Sequence, residues 1–299
     1  MKLLAFARSS NAPSRLGRLA DDGIVDLSEE SGWTDATDAL QHPDELPSLD
    51  GPRLDRASIE LRAPIGRPGK IICVGLNYHD HCREQGIEPP RYPILFAKFA
   101  NAVAAPGATI TRPAATEKLD LECELGVVIG RRAKRIGPEE ALEHVFGYTI
   151  VNDVTMRDLQ REDGQWLRAK GSDGFAPMGP VLVTRDEIPD PQRLRIASSV
   201  NGEPWQESTT GEMVFEVATL VAFISRTITL EPGDIIATGT PAGVGHFQDP
   251  PRYLRDGDVM RCEMEGIGAL ENPVTDEVPR SADHAASAGL ATPVAGARP

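Results

Sequence analysis

From residue 67 to about 275 the chain keeps returning to short apolar runs set between turn residues, at 94–99, 122–130, 146–152, 180–184, 193–200, 234–238 and 258–264. Runs that short bury their side chains as strands of a sheet, so the chain reads as mainly β with a few helices, an α+β arrangement. Val200-Asn201-Gly202-Glu203 joins two of the runs, and Asn-Gly tolerates the positive φ angles of a two-residue hairpin. Two helices are expected. One spans 211–226, where Met213, Val214, Val217, Leu220, Val221 and Ile224 recur at helical spacing behind a Thr209…Glu212 capping box. A shorter one starts at Pro138 and runs to His144. A turn cluster at 63–69 precedes another strand-like run at 70–75, and a domain boundary is placed there. This gives a small β-rich N-terminal domain over 1–66 and a larger domain over 67–275. The stretch 276–299, with few large apolar groups to bury, is expected to be a disordered tail.

Charge narrows the partners. Among 299 residues, 31 Lys and Arg stand against 45 Asp and Glu, a net −14. That balance disfavours phosphate backbones and anionic lipid, so neither nucleic acid nor membrane is expected as a partner. No stretch approaches 18 consecutive apolar residues, and MKLLAFARSS lacks the features of a secretory signal. A cytoplasmic protein is expected. The four cysteines, at 73, 82, 123 and 262, form no CxxC pair and fit reduced thiols.

The residues with the most chemistry lie in Leu119-Asp120-Leu121-Glu122-Cys123-Glu124-Leu125-Gly126-Val127-Val128-Ile129. On a strand Glu122 and Glu124 point to one face and Cys123 to the other. Like charges that close repel unless water or a cation lies between them, and the apolar run that follows argues against full solvation. A solvated edge face is the plainer alternative. Asp153 ends another apolar run and offers a third carboxylate. Three such oxygens suit Mg²⁺, Mn²⁺ or Ca²⁺ better than Zn²⁺ and leave positions open for a bidentate 2-oxo acid. For Asp153 alone, capping the segment 154–161 is the plainer role. His81 and Glu84 are three apart, so in a helical turn they can meet, and a carboxylate beside an imidazole makes a general base for water. His79 competes for that role. Lys170 can offset a negative cluster or grip a substrate carboxylate. The loop 238–245, TGTPAGVG, offers backbone N–H groups for an anion; it lacks a nucleotide-loop lysine, and no GxSxG elbow occurs anywhere.

Taken together, ICVGLNYHDHCRE, LDLECELGVVIG, VNDVTMRDLQ, AKGSDGFAPMGP, VNGEPWQ and TGTPAGVG, in that order over about residues 70–271, closely resemble the fumarylacetoacetate hydrolase family. The resemblance implies a mixed β-sandwich roll assembled as a homodimer. It implies Glu122, Glu124 and Asp153 as ligands of Mg²⁺ or Mn²⁺, with Ca²⁺ a further candidate, and His81 with Glu84 as the dyad that activates water. Gln160 and Lys170 match positions on the substrate side of the metal, and Gly239 and Thr240 match the loop that binds a substrate carboxylate. The expected activity is hydrolysis of a carbon–carbon bond in an acylpyruvate, with Lys170 and the Thr240 loop stabilising the departing enolate, to give pyruvate and a carboxylic acid. Phe96-Ala97-Lys98-Phe99-Ala100-Asn101 and HDHCREQG look closer to the branch called domain-containing protein 2, associated with oxaloacetate enol–keto tautomerisation. Oxaloacetate decarboxylation passes through the same kind of enolate. A non-catalytic protein that binds metal and a 2-oxo acid is the rival of another class, and it would not need the His81/Glu84 pair.

Overall fold

The computed structural model describes residues 1–278. A 12-stranded mixed sheet forms its frame. Its central path begins with Arg53–Leu54, Gly23–Asp26, Arg15–Ala20 and Lys2–Ala7. It continues through Ala176–Thr184, Val145–Asn152, Cys123–Ile129, Ile235–Ala237, Ile71–Gly75 and Ile94–Lys98. Most neighbours are antiparallel; Ile235–Ala237 runs parallel to Ile71–Gly75. A second sheet of five strands, Glu203–Thr209, Arg195–Val200, Val259–Met264, Gly268–Asp276 and Ile110–Arg112, packs across the middle of the first. The result is strand-dominated with few helices, as the recurring short runs require.

Period-two alternation sorts the core. Leu125, Val127 and Ile129 pack toward Ile196, Met260 and Leu270 of the five-stranded sheet, whereas Val128 faces the opposite layer with Leu3, Val25, Leu40 and Leu182. The N-terminal strands belong to the same sheet as the rest: Lys2 pairs with Val183 and Leu3 with Leu182, so hydrogen bonding runs unbroken across position 66. The hairpin turns at Asn201 (φ 54°) and Gly202 (φ 83°), with Val200 opposite Glu203. Pro138 opens a helix over Pro138–Ala141 that tightens into a 3₁₀ turn over Leu142–His144.

The expected helix at 211–226 is shorter and begins later, at Val217–Ser225. Thr209 caps a 3₁₀ turn over Thr210–Glu212 instead. The three residues that follow are held out of the helix by Asn77 and Tyr78: the Asn77 carbonyl accepts from Val214 N–H (2.9 Å), its Oδ1 accepts from Phe215 N–H (2.8 Å), and Met213 bridges to Tyr78. Tertiary hydrogen bonds here outweigh helical spacing. Of the expected tail only 276–278 can be described, and Asp276 closes the last strand; 279–299 lie outside the described residues.

Candidate active site

Two segments bring the acidic side chains together. Glu122 stands one residue ahead of the strand Cys123–Ile129, and Asp153 one residue beyond the end of Val145–Asn152, its antiparallel neighbour. Their backbones are tied: Asp153 N–H donates to the Glu122 carbonyl (2.9 Å) and Glu122 N–H to Asn152 Oδ1 (3.1 Å). Glu124, two residues on, shares the face of Glu122. Carboxylate oxygens of Glu122, Glu124 and Asp153 lie within 4.8 Å of one another, and the three residues are 5%, 1% and 0% exposed. This excludes the solvated edge face, and Asp153 caps no helix: the helix that follows, Arg157–Glu162, begins at Met156.

Four buried carboxylates, these three and Asp120, face three buried cations, Lys98, Lys170 and Arg157. Lys170 Nζ spends its three protons on Glu122 Oε2 (2.9 Å), Asp153 Oδ2 (2.6 Å) and Thr155 Oγ1 (2.8 Å). Burial disfavours that charged ammonium, but Asp153 and Glu122 outweigh it and hold the proton more tightly than in a free lysine. Arg157 reaches Glu122 Oε1 at 2.6 Å and Asp120 Oδ2 at 2.8 Å. Against the cost of its burial, Glu122 is therefore held ionised, well below the usual carboxylate range, by Lys170 and Arg157. Lys98 Nζ lies 2.7 Å from Asp153 Oδ1, yet its protons go to the carbonyls of Val154 (3.2 Å), Phe175 (2.7 Å) and Lys170. Asp153 Oδ1 is consequently a buried carboxylate oxygen with no hydrogen-bond donor.

Glu124 is the odd charge out. It has no ion pair among the described residues and accepts one hydrogen bond, from Gly239 N–H (2.9 Å). Burial first, then the charges of Asp153 and Glu122, push its carboxyl well above the ordinary range. A surplus buried carboxylate beside a donorless carboxylate oxygen is the environment a hard divalent cation satisfies, and the all-oxygen donor set fits Mg²⁺, Mn²⁺ or Ca²⁺.

Glu122 and Glu124 border a cavity of about 340 Å³, with Asp153 buried behind them. Val74, Phe96 and Trp166 form an apolar wall, with the Phe96 and Trp166 rings edge-to-face at 5.2 Å. His81 lines another wall from the helix His79–Glu84. Its Nδ1 is 2.9 Å from Glu84 Oε2, and Glu84 Oε1 in turn accepts from Gly243 N–H at 2.8 Å. Donation from Nδ1–H to the carboxylate leaves the lone pair on Nε2, where the Gln85 amide lies 2.9 Å away. His79, the rival histidine, is exposed and does not border the cavity.

The remaining expected residues divide. Gln160 and Thr240 line the cavity, Gln160 Oε1 accepting from Arg157 Nη1 at 3.2 Å. Gly239 N–H is spent on Glu124, and the Thr240 hydroxyl donates to the Cys123 carbonyl (2.9 Å) while accepting from Gln206 Nε2 (2.7 Å). The loop thus braces the acidic strand. Lys170, with all three protons taken, offsets the negative cluster and has none free to grip a substrate. Sequence reasoning passed over Lys98, Asp120, Arg157 and Gln206. Asp120 had a signal, since it continues the period-two spacing of Glu122 and Glu124, and Lys98 was a lysine inside a strand-like run.

The sequence model of the fumarylacetoacetate (FAA) hydrolase C-terminal region matches residues 70–275. Over 294 residues the chain is 42% identical to oxaloacetate tautomerase fahd2, mitochondrial, of Xenopus laevis, covering 92% of this chain and 90% of that one. Its fold superposes on a fumarylacetoacetate hydrolase from psychrophilic Exiguobacterium antarcticum with a TM-score of 0.83, at 41% identity over 93% of this chain and 100% of that one. A maleylpyruvate hydrolase from a Sphingobium species, solved with manganese(II) and pyruvate, gives a TM-score of 0.75 at 29% identity with the same coverage. The chain belongs to the fumarylacetoacetate hydrolase family and is an enzyme of it. Within the family it falls in the domain-containing protein 2 branch.

Proposed function

We propose that this enzyme acts on 2-oxo acids with Mg²⁺ or Mn²⁺ and interconverts the enol and keto forms of oxaloacetate. The observation that carries the reading is that Glu122, Glu124 and His81 border one cavity, with Asp153 completing the acidic cluster behind it and Glu84 holding the His81 ring. The name of the Xenopus laevis relative supports oxaloacetate, and the manganese and pyruvate of the Sphingobium neighbour support the metal and the 2-oxo acid class. A divalent ion held by the three carboxylates would supply Lewis-acid charge at the 2-oxo end of the substrate. His81, its Nδ1–H fixed by Glu84, takes a proton at Nε2 from the carbon next to the carbonyl in the keto form and delivers it to the enolate oxygen to give the enol; the reverse direction carries the proton from that oxygen back to carbon. For this, the Gln85 amide swings off Nε2. Lys170 is a positioning residue that keeps Glu122 ionised and bridges it to Asp153, while Phe96 and Trp166 limit water.

Cleavage of an acylpyruvate to pyruvate and a carboxylic acid is the second reading, favoured because the same dyad is equally suited to deprotonating water. The metal-loaded enzyme, assayed against oxaloacetate, acylpyruvates and fumarylpyruvate with and without EDTA, separates the two. Enol–keto conversion of oxaloacetate is expected to be accelerated, to stop with EDTA, and to fall by about 10²–10⁴ in His81→Ala while metal binding persists. No turnover of oxaloacetate would remove the first reading. A homodimer is part of the proposal. For the compartment, the cytoplasmic expectation and the word mitochondrial in the relative's name differ; four buried free cysteines support a reducing one either way. No helix among the described residues is long and apolar enough to cross a membrane.

A further inference from the structure

One end of the cavity is cationic in a chain whose net charge is −14. The helix Arg157–Glu162 places Arg157 and Arg161 one turn apart on the same face, about 6 Å along the axis. Arg157 is buried and committed to Glu122 and Asp120. Arg161, one turn outward, borders the cavity and is exposed, and it has no ion-pair partner among the described residues. Beside it His246 also borders the cavity. The His246 backbone N–H is anchored on Asp120 Oδ2 (3.0 Å), its ring packs edge-on against Phe247 with centroids 4.9 Å apart, and its Nδ1 lies 2.9 Å from the Tyr253 hydroxyl. With the Tyr253 O–H donating to Nδ1, the ring proton sits on Nε2, which has no partner among the described residues. Burial, and then the nearby charges of Arg157, Lys118 and Arg161, keep this imidazole neutral. Asp120, the nearest anion, is already saturated by Arg157 and by the N–H groups of Leu121, Gly245 and His246. An unpaired guanidinium and an imidazole N–H therefore border one end of the cavity, with no free carboxylate between them.

We propose that Arg161 and His246 form an anion subsite for the distal carboxylate of a dicarboxylic 2-oxo acid whose other end is held at the Glu122, Glu124 and Asp153 cluster; the proposal rests on the 2-oxo acid reading above. Arg157, bound to Glu122, and Gln160 border the same cavity, and Gln160, having accepted from Arg157 through Oε1, keeps its amide protons for the substrate. The site is thereby graded for diacids over their monocarboxylic counterparts.

The test compares two unreactive probes of equal chain length, 2-oxoglutarate and 2-oxopentanoate, which differ in ending on a carboxylate or a methyl group. Isothermal calorimetry on the Mg²⁺-loaded full chain reads both. The wild type is expected to bind 2-oxoglutarate about tenfold more tightly, as one partly exposed charge-assisted contact allows. In Arg161→Met that preference falls to about one, with 2-oxopentanoate binding unchanged; Arg161→Lys restores part of it, and His246→Ala reduces it. Equal affinities in the wild type, or a preference that survives Arg161→Met, overturn the subsite alone. If neither probe binds the wild type, the 2-oxo acid reading fails and the subsite with it. Arg161 is exposed, so its replacement leaves the fold intact, and retained 2-oxopentanoate binding verifies that directly.

Discussion

Glu124 shows how a single side chain reports on what its neighbours lack. Every other buried acid in the cluster has a cation within salt-bridge reach, whereas Glu124 has one backbone N–H. Replacing it with glutamine removes an acid whose ionisation burial and its charged neighbours oppose in the metal-free protein. Glu124→Gln is therefore expected to leave metal-free stability unchanged or raise it by about 1 kcal/mol, while abolishing the rise in melting temperature on adding Mg²⁺. Thermal melts with and without Mg²⁺ check both signs; a metal-free variant that melts well below wild type contradicts the account. Spacing was enough to place Glu122 and Glu124 on one face. It could not reveal that Lys98 spends its protons on three carbonyls, because those of Val154, Lys170 and Phe175 are distant in sequence.

At the level of single elements, the turn after Ile235–Ala237 is as constrained as any strand. Gly239 sits at φ 100°, and a methyl group added there would lie 2.8 Å from Asn77 Cβ and 3.0 Å from the Val74 carbonyl oxygen. Gly239→Ala is expected to cost about 1–3 kcal/mol in urea denaturation and to pull the N–H off Glu124. The helix Arg157–Glu162 is pinned differently. Asp158 accepts from Thr116 Oγ1 (2.6 Å) and from the N–H groups of Glu117 and Leu159 (both 3.0 Å). Burial opposes, but these bonds hold its carboxyl below the usual range. A depressed folded value means stabilisation that is complete above the unfolded carboxylate pKa of about 3.9 and disappears as pH falls through the folded one. The stability gap between wild type and Asp158→Asn should accordingly be constant near neutrality and close below about pH 4. Legibility varied between elements for physical reasons. The Asn201-Gly202 hairpin was readable because its conformation is decided by its own two residues. The helix expected at 211–226 was misjudged at its start because Asn77, more than 130 residues away, takes the N–H groups of 214 and 215.

Across the whole molecule, metal and fold are linked. A cation that binds only where strands 123–129 and 145–152 meet stabilises the native state by about 2.7 kcal/mol at a hundredfold excess over its dissociation constant. Adding EDTA to the Mg²⁺-loaded protein should lower its melting temperature, and a melt indifferent to both would argue that nothing binds there.

The pairing of Leu3 with Leu182 carries a practical warning for anyone trimming the protein. Cutting away the first 66 residues would uncover the Leu182–Val183 end of Ala176–Thr184, a nearly all-apolar strand. The liberated fragment is expected to polymerise through that raw margin, visible as light scattering, and lysines placed along it should keep it dispersed. The first 66 residues thus act as a selvedge, finishing a cloth that would otherwise fray into its neighbours.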